Sequence, residues 1–153
     1  MQITFESPNQ IEIIKLIDEL DAYQNSLYPP ESLHFLDIES LMQSNVIFVV
    51  ARDHAHRALG CGAVVKQSEF GEIKRMYVHP SGRGQGIARA MLVALETRAE
   101  AEGCKLLKLE TGARQPEAIR LYVRSGFEPC GAFGDSGDDP LSVFMQKKIV
   151  DSF

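Results

Sequence analysis

The sequence lacks three features that would place it outside the ordinary globular enzymes and binding proteins. No apolar run approaches the roughly 20 residues that a membrane-spanning helix needs, so no membrane association is predicted. The first ten residues contain no basic segment followed by an apolar one, which predicts no secretory signal and a cytoplasmic location. An excess of positive charge is also missing. The formal net charge of -5 argues against nucleic-acid binding and suits small neutral or cationic partners.

Cysteine is scarce, and the pattern of cysteine and histidine predicts no metal site. The three cysteines, Cys61, Cys104 and Cys130, are widely spaced and form no C-x-x-C pair, so reduced thiols are expected rather than disulfides or structural zinc. His54 and His56 stand close together in a polar turn without a supporting carboxylate or cysteine cluster. The sequence therefore predicts a solvated turn there.

The chain has the composition and length of one globular domain, residues 1–153, with 44% apolar and 24% charged residues. Its hydrophobic periodicity predicts the order β-α-α-β-β-β-α-β-α-β-β, an α/β fold with a mixed sheet. Ser7, Pro8 and Gln10 predict the start of the first helix through a capping box, and the helix is expected to end near Asp21.

Strands are predicted at residues 3–5, 46–51, 59–66, 72–78, 105–110 and 142–149, and a further extended segment is predicted to begin at Phe127. Asp37 is expected to cap a short helix that carries Leu41 and Met42 inward. Thr111 and Gly112 are expected to end the strand at residues 105–110. A helix opening at Gln115-Pro116 is predicted to turn four residues inward: Ala118, Ile119, Tyr122 and Val123.

Two groups of side chains have alternative interpretations. Three aromatic residues, Tyr23, Tyr28 and Phe35, either line a substrate pocket or pack their loop onto the core. Three acidic residues in a late loop, Asp135, Asp138 and Asp139, either attract a cationic amine or belong to a solvated turn.

The segment Ser81-Gly82-Arg83-Gly84-Gln85-Gly86-Ile87-Ala88 lies between a predicted strand and a long amphipathic helix. Its glycines leave the turn without side chains, so several backbone N–H groups can converge on one place. The helix adds its unpaired N-terminal N–H groups and the positive end of its dipole. Arg83 adds a full positive charge. The segment therefore predicts a site for a phosphate or pyrophosphate.

Two familiar phosphate-binding loops do not fit this spacing. A P-loop needs Lys followed by Ser or Thr after its last glycine, and that pair is missing. A dinucleotide fingerprint needs a third glycine where Arg89 stands, and it follows a first βαβ unit that is not predicted here.

The spacing Arg83-x-x-Gly86-x-Ala88, directly after a strand ending in Tyr77-Val78, resembles the Q/R-x-x-G-x-G/A motif of the GNAT superfamily of N-acetyltransferases. The later segment AIRLYVRSGF, residues 118–127, resembles the family's second half, in which a tyrosine precedes a Gly-Phe pair. The element order matches over about residues 3–149, and the whole is similar to a small bacterial subgroup of undefined substrate.

The resemblance implies a single-domain GNAT-like fold, with a mixed, mostly antiparallel sheet that splays at its central strands and is flanked by about four helices. It implies acetyl-CoA as co-substrate and no metal. The backbone of three strand residues would contact the pantetheine arm: Met76, Tyr77 and Val78. The pyrophosphate would be wrapped by Arg83, Gly84, Gln85, Gly86, Ile87 and Ala88. A homodimer through the final strands would also be in keeping with the family.

The resemblance also assigns catalytic residues. Tyr122 stands where the family places a general acid for the departing thiolate, and the alternative is that it only packs its helix. Glu72 stands where some members have a general base, and the alternative is a structural or substrate-orienting role. Glu110 is the second candidate base, and His79 is expected to stabilise the loop.

The implied function is acetyl transfer from acetyl-CoA to a primary amine of a small molecule or peptide, by direct attack. The alternative function is a catalytically inactive acyl-CoA-binding sensor or regulatory module.

Overall fold

The computed structural model describes residues 1–33, 37–134 and 139–149, and these residues form seven strands and four α-helices. In chain order they are β1 (Gln2–Phe5), α1 (Ile11–Leu27), α2 (Ile38–Leu41), β2 (Val46–Arg52), β3 (Ala58–Lys66), β4 (Gly71–Val78), α3 (Ile87–Ala101), β5 (Leu106–Gly112), α4 (Pro116–Arg124), β6 (Glu128–Pro129) and β7 (Ser142–Lys148). The predicted order of elements is confirmed. Within the described ranges, none of the helices has the length and apolar character to cross a bilayer.

The strands form one mixed sheet in the order β1-β2-β3-β4-β5-β7-β6. Neighbouring strands are antiparallel except for β4 and β5, which are parallel and are joined by the crossover through α3. The predicted mixed, mostly antiparallel sheet is confirmed. The parallel pair places the carboxyl ends of β4 and β5 at the same edge, as a βαβ unit requires.

The parallel pair β4–β5 is short and then opens. Its register joins residues 71–73 to residues 107–109 and ends there, so residues 74–78 of β4 do not pair with residues 110–112 of β5. We call the opening between these two segments the cleft. It confirms the predicted splay at the central strands and leaves backbone groups of both strands without a strand partner on the facing sides.

A bulge in β4 changes the direction of its side chains at the start of the cleft. Cys61 of β3 pairs with Tyr77, whereas Ala63 pairs with Lys74, so β4 holds one extra residue. Arg75, within this extra segment, has a left-handed backbone with φ of 60°. Its buried guanidinium forms an ion pair with Asp21 of α1, which attaches the bulge to the helix above it.

The core has two parts, one on each face of the sheet. One part contains the apolar face of α3, which presents Met91, Leu92 and Leu95 to the sheet. The other part contains the apolar face of α1, with Ile13 and Leu16 packed against β2 and β3. Both stripes recur at helical spacing, as the sequence predicts.

The predicted start of α1 is wrong. The helix begins at Ile11, and Gln10 rather than Ser7 is its N-terminal flanking residue. The Gln10 side-chain amide donates to the Ser7 carbonyl oxygen at 2.8 Å and to Glu6 Oε1 at 3.0 Å. Glu6 is in turn held by Arg52 of β2, so a contact between distant parts of the chain fixes a turn before the helix.

The predicted end of α1 is also wrong, because the helix continues to Leu27 instead of stopping near Asp21. The first residue that cannot continue a helix is Pro29, whose ring disfavours helical backbone at the preceding residue. The longer helix brings Tyr28 to the cleft.

Three smaller predictions need correction, although Asp37 does cap α2 by accepting from the Ser40 N–H at 2.8 Å. Met42 is 49% exposed and Val123 is 55% exposed, so neither side chain points inward. Strand β5 does not end before Thr111, because it continues through Gly112 and pairs there with β7.

Candidate active site

The loop before α3 has the open backbone that the glycine pattern predicts. Gly84 and Gly86 have left-handed φ angles of 78° and 75°. A Cβ atom built on either glycine would meet nothing within 4 Å, so the outer side of the loop is open. Gly86 is the N-cap of α3 and supplies no side chain to cap the helix. The first N–H groups of α3 therefore remain available to a ligand.

Two side chains attach this loop to the end of β4. Arg83 donates from Nε to the Val78 carbonyl oxygen at 3.2 Å, and its guanidinium lies 6.0 Å from the centroid of the Tyr77 ring. His79 accepts at Nδ1 from the Ser81 N–H at 3.1 Å. His79 therefore holds the turn, and Arg83 keeps a positive charge at the point where the cleft meets the loop.

A cavity of about 150 Å³ occupies the cleft. Its walls come from β4, β5, α4 and the end of α1, and the segment before β7 closes one side. Glu72, Met76 and Tyr122 all line it, so the structure brings three of the predicted site residues together. Met76, Tyr77 and Val78 lie on β4 beyond its last pair with β5, where the edge of β4 that faces the cleft has no strand partner.

Tyr122 takes part in both the core and the cavity. Its side chain is 6% exposed, belongs to the core around α3, and packs edge to face on Phe127 with 5.6 Å between ring centroids. Burial raises the pKa of Tyr122 well above the ordinary value of a phenol. The hydroxyl therefore keeps its proton at neutral pH.

Charged side chains of both signs line the cavity. On β4, Lys74 Nζ lies 3.2 Å from Glu72 Oε2, and both residues project from the same side of the strand. On β5, Glu110 Oε2 accepts from the Ser142 hydroxyl at 2.5 Å. Arg75 also lines the cavity, although its guanidinium is committed to Asp21.

Tyr28 closes the cavity from the end of α1. Its hydroxyl donates to Gln115 Oε1 at 3.2 Å and accepts from the Arg114 N–H at 3.1 Å. The Arg114 side chain donates to the Leu27 carbonyl oxygen at 2.5 Å. A Cβ atom on Gly112 would lie 1.7 Å from the Tyr28 hydroxyl oxygen, so only glycine leaves room for the ring. We call the set of Tyr28, Gly112, Arg114 and Gln115 the Tyr28 clasp.

Among the described residues, Tyr23 and Asp139 do not line the cavity. Tyr23 is exposed on α1. Phe35, Asp135 and Asp138 lie outside the described residues. Asp139 accepts at Oδ1 from the Leu141 N–H at 2.9 Å and so helps to shape the turn before β7.

Sequence reasoning missed the roles of Lys74, Gly112 and Gln115. Lys74 lies two residues after Glu72 in β4, and residues at this spacing in a strand project from the same side. This spacing is the signal in the sequence that could have identified Lys74. Gly112 was interpreted as a strand breaker, and nothing local to it in the sequence identifies Tyr28 as the ring that needs the space.

Comparisons with known proteins identify the family to which the chain belongs. The model of the acetyltransferase (GNAT) family matches residues 13–127. A relative from Azospirillum brasilense named IAA acetyltransferase is 45% identical over 149 residues, which is 96% of this chain and 97% of the relative.

Two solved structures share the fold. A protein from Klebsiella pneumoniae, assigned provisionally to the acyl-CoA N-acyltransferases, is 41% identical with a TM-score of 0.83, and 97% of each chain is covered. An aminoglycoside 6'-N-acetyltransferase complexed with coenzyme A has a TM-score of 0.75 at 18% identity, over 99% of both chains. The chain is therefore an acyltransferase of the GNAT family.

Proposed function

We propose that the protein is an acetyl-CoA-dependent N-acetyltransferase that acylates a primary amine of a small molecule or peptide by direct attack. The observation that carries the proposal is the cleft between β4 and β5. The cleft leads from an open glycine loop at the start of α3 to a cavity that contains a buried tyrosine and a carboxylate.

The residues of the loop and of β4 fit the parts of an acyl-CoA molecule. A pyrophosphate would be held by the N–H groups of residues 84–88 and by Arg83, because a helix N-terminus and a cation both stabilise its charge. The pantetheine arm has amide groups, which the edge of β4 at Met76, Tyr77 and Val78 can bind as a neighbouring strand would, because β5 does not pair with β4 there. The solved relative with coenzyme A supports this choice of ligand.

An acyl-CoA thioester supplies the acyl group: its C–S bond breaks as the acceptor nitrogen forms the new C–N bond. Tyr122 is proposed to give its hydroxyl proton to the departing sulfur, and its phenolate to take up the second proton that the acceptor nitrogen loses as the amide forms. Burial raises the pKa of Tyr122, so its hydroxyl still holds the proton when the sulfur departs.

Glu72 is proposed to remove the proton from the acceptor's ammonium group, either directly or through a water molecule. Its carboxylate lines the cavity and forms an ion pair with the Lys74 ammonium at 3.2 Å. Glu110, on the other wall of the cleft, is the second candidate for this role.

The proposal is tested by thermal shift with acetyl-CoA and with CoA, using ATP as a control that has the phosphates but no pantetheine. Thiol release over a panel of amines, with mass spectrometry of the products, then tests transfer. We expect stabilisation by both CoA ligands and an N-acetylated product. Stabilisation without turnover of any amine would instead indicate an acyl-CoA sensor, and no stabilisation would refute both functions.

A further inference from the structure

We propose that the acceptor is an α-amino acid or a closely similar zwitterion, and that Lys74 holds its carboxylate while Glu72 receives its ammonium group. This inference rests on the proposed function and adds the chemical class of the acceptor. It depends on the ion pair between Glu72 and Lys74, which lines the cavity of the cleft.

The position of Lys74 is unfavourable for a simple amine. Its ammonium lies 3.2 Å from Glu72, the proposed base, and would repel a cationic acceptor that approaches the same carboxylate. The repulsion is offset if the acceptor brings its own carboxylate. An α-amino acid bears both groups on one carbon, so its ammonium can face Glu72 while its carboxylate faces Lys74.

Lys74 has donors to spare for this second carboxylate. A lysine ammonium has three N–H donors, and Glu72 is the one ion-pair partner of Lys74 among the described residues. The Lys74 side chain is 24% exposed, so a ligand can reach it. Arg75, the next residue, is less suited because its guanidinium is buried against Asp21.

The remaining walls mix apolar and polar side chains, and the volume of about 150 Å³ suits a small acceptor. Leu20, Leu33 and Leu141 line the cavity beside the charged pair. The Tyr28 clasp closes the space above them. The charges of Glu72 and Lys74 cancel, so this part of the cavity offers a polycationic acceptor no net attraction, whereas it complements a zwitterion group by group.

The wild-type protein is tested first with the common L-amino acids, with acetyl-CoA as donor, by thiol release and mass spectrometry. The best amino acid is then compared with its amide and with its decarboxylated amine. The amide is less basic than the amino acid and the decarboxylated amine is more basic, so a preference for the amino acid over both cannot come from basicity. We expect kcat/KM for the amino acid to exceed that for the amide and that for the decarboxylated amine by about tenfold or more.

The variant Lys74→Met removes the proposed carboxylate contact. We expect kcat/KM to fall about tenfold to a hundredfold for the amino acid, and to stay constant or rise for the decarboxylated amine because the repulsion is gone. Lys66→Met is the matched control, since Lys66 is also a strand lysine paired with a glutamate, has 28% side-chain exposure, and lies outside the cavity.

Equal use of the amino acid, its amide and its amine by the wild type would overturn the inference while leaving N-acetyl transfer in place. An equal loss on all three acceptors in Lys74→Met would also overturn it, because a loss of that kind indicates support of Glu72 alone. Turnover of no acceptor of any class would overturn the proposed function, and this inference with it.

Discussion

Replacing Gly112 by alanine tests the Tyr28 clasp with the smallest possible change. The added Cβ atom would lie 1.7 Å from the Tyr28 hydroxyl oxygen and 2.2 Å from Cζ of the same ring, so the ring must leave its place. The backbone of Gly112 lies outside the left-handed region, so alanine itself causes no backbone strain. The loss of stability therefore measures the displacement of the ring.

The expected loss of unfolding free energy follows from the burial and the hydrogen bonds that Tyr28 loses. Its side chain is buried, and burial of a large apolar side chain contributes about 1.5–3 kcal/mol. Its hydroxyl also loses two hydrogen bonds, to the Arg114 N–H and to Gln115, each worth about 1 kcal/mol. Partial repacking recovers some of this, so we expect Gly112→Ala to cost about 2–4 kcal/mol of unfolding free energy. For a chain of this size that loss corresponds to a drop in Tm of about 10 °C.

A double-mutant cycle measured by urea unfolding separates the steric effect from other effects. In a Tyr28→Ala background the ring is absent, and Gly112→Ala should then cost less than about 1 kcal/mol or be neutral. Tyr28→Phe keeps the ring and should lose only the hydrogen-bond contribution, about 1–2 kcal/mol. If Gly112→Ala costs the same with and without the Tyr28 ring, or costs nothing, the described packing of the clasp is refuted.

Three further predictions concern the loop, the acid and the pH dependence. Gly86→Glu should abolish acetyl-CoA binding in calorimetry, because a carboxylate would face the pyrophosphate. The control Gly103→Glu, at a left-handed glycine past the other end of α3, should bind acetyl-CoA normally. Equal affinity of the two variants for acetyl-CoA would refute the assignment of the loop to the pyrophosphate. Tyr122→Phe should lower kcat by about a hundredfold with little change in acetyl-CoA affinity, and unchanged turnover would exclude Tyr122 as the acid. Hydrogen bonds from Arg52 lower the pKa of Glu6 from 4.5 to about 2, so the stabilisation by Glu6 is present above pH 4.5 and is lost as the pH falls through about 2. The difference in unfolding free energy between wild type and Glu6→Gln should shrink over that range, and a difference independent of pH would contradict the assignment.

The fold and the phosphate-binding loop could be predicted because their signals are local. The unbroken β-branched and aromatic run of β2, the stripe of α3 and the glycines before Ile87 each report on backbone that is shaped by nearby residues. The motif ending in Gly126-Phe127 located Tyr122 on α4 for the same reason. Predictions from these local patterns do not require knowing which helices and strands contact one another in the folded chain.

The parts that could not be predicted depend on contacts between distant residues. The start of α1 is set by Gln10 and Glu6 through Arg52, which is 46 residues further along the chain than Glu6. Strand β5 continues through Gly112 because it pairs there with Ser142 of β7, and the glycine leaves room for the ring of Tyr28. A glycine in a strand has the same local signature whether it ends the strand or makes room for a ring.

The bulge in β4 was likewise invisible in the sequence. Arg75 adopts a left-handed backbone, which is uncommon for arginine. A glycine or asparagine at this position would have indicated such a conformation. Its buried ion pair with Asp21 of α1 holds that conformation, and this pairing cannot be deduced from the alternation of the strand. The sequence therefore predicts that β4 borders the site. It does not predict which side chains of β4 point into the cavity.

The short parallel contact between β4 and β5 joins two parts of the sheet, β1–β4 and β5–β7. Three residue pairs join these parts, whereas seven join β5 to β7. A molecule that fills the cleft and forms hydrogen bonds with both parts would take the place of a missing strand pairing between them. We therefore expect such a ligand to slow amide exchange at the edges of β4 and β5 that face the cleft.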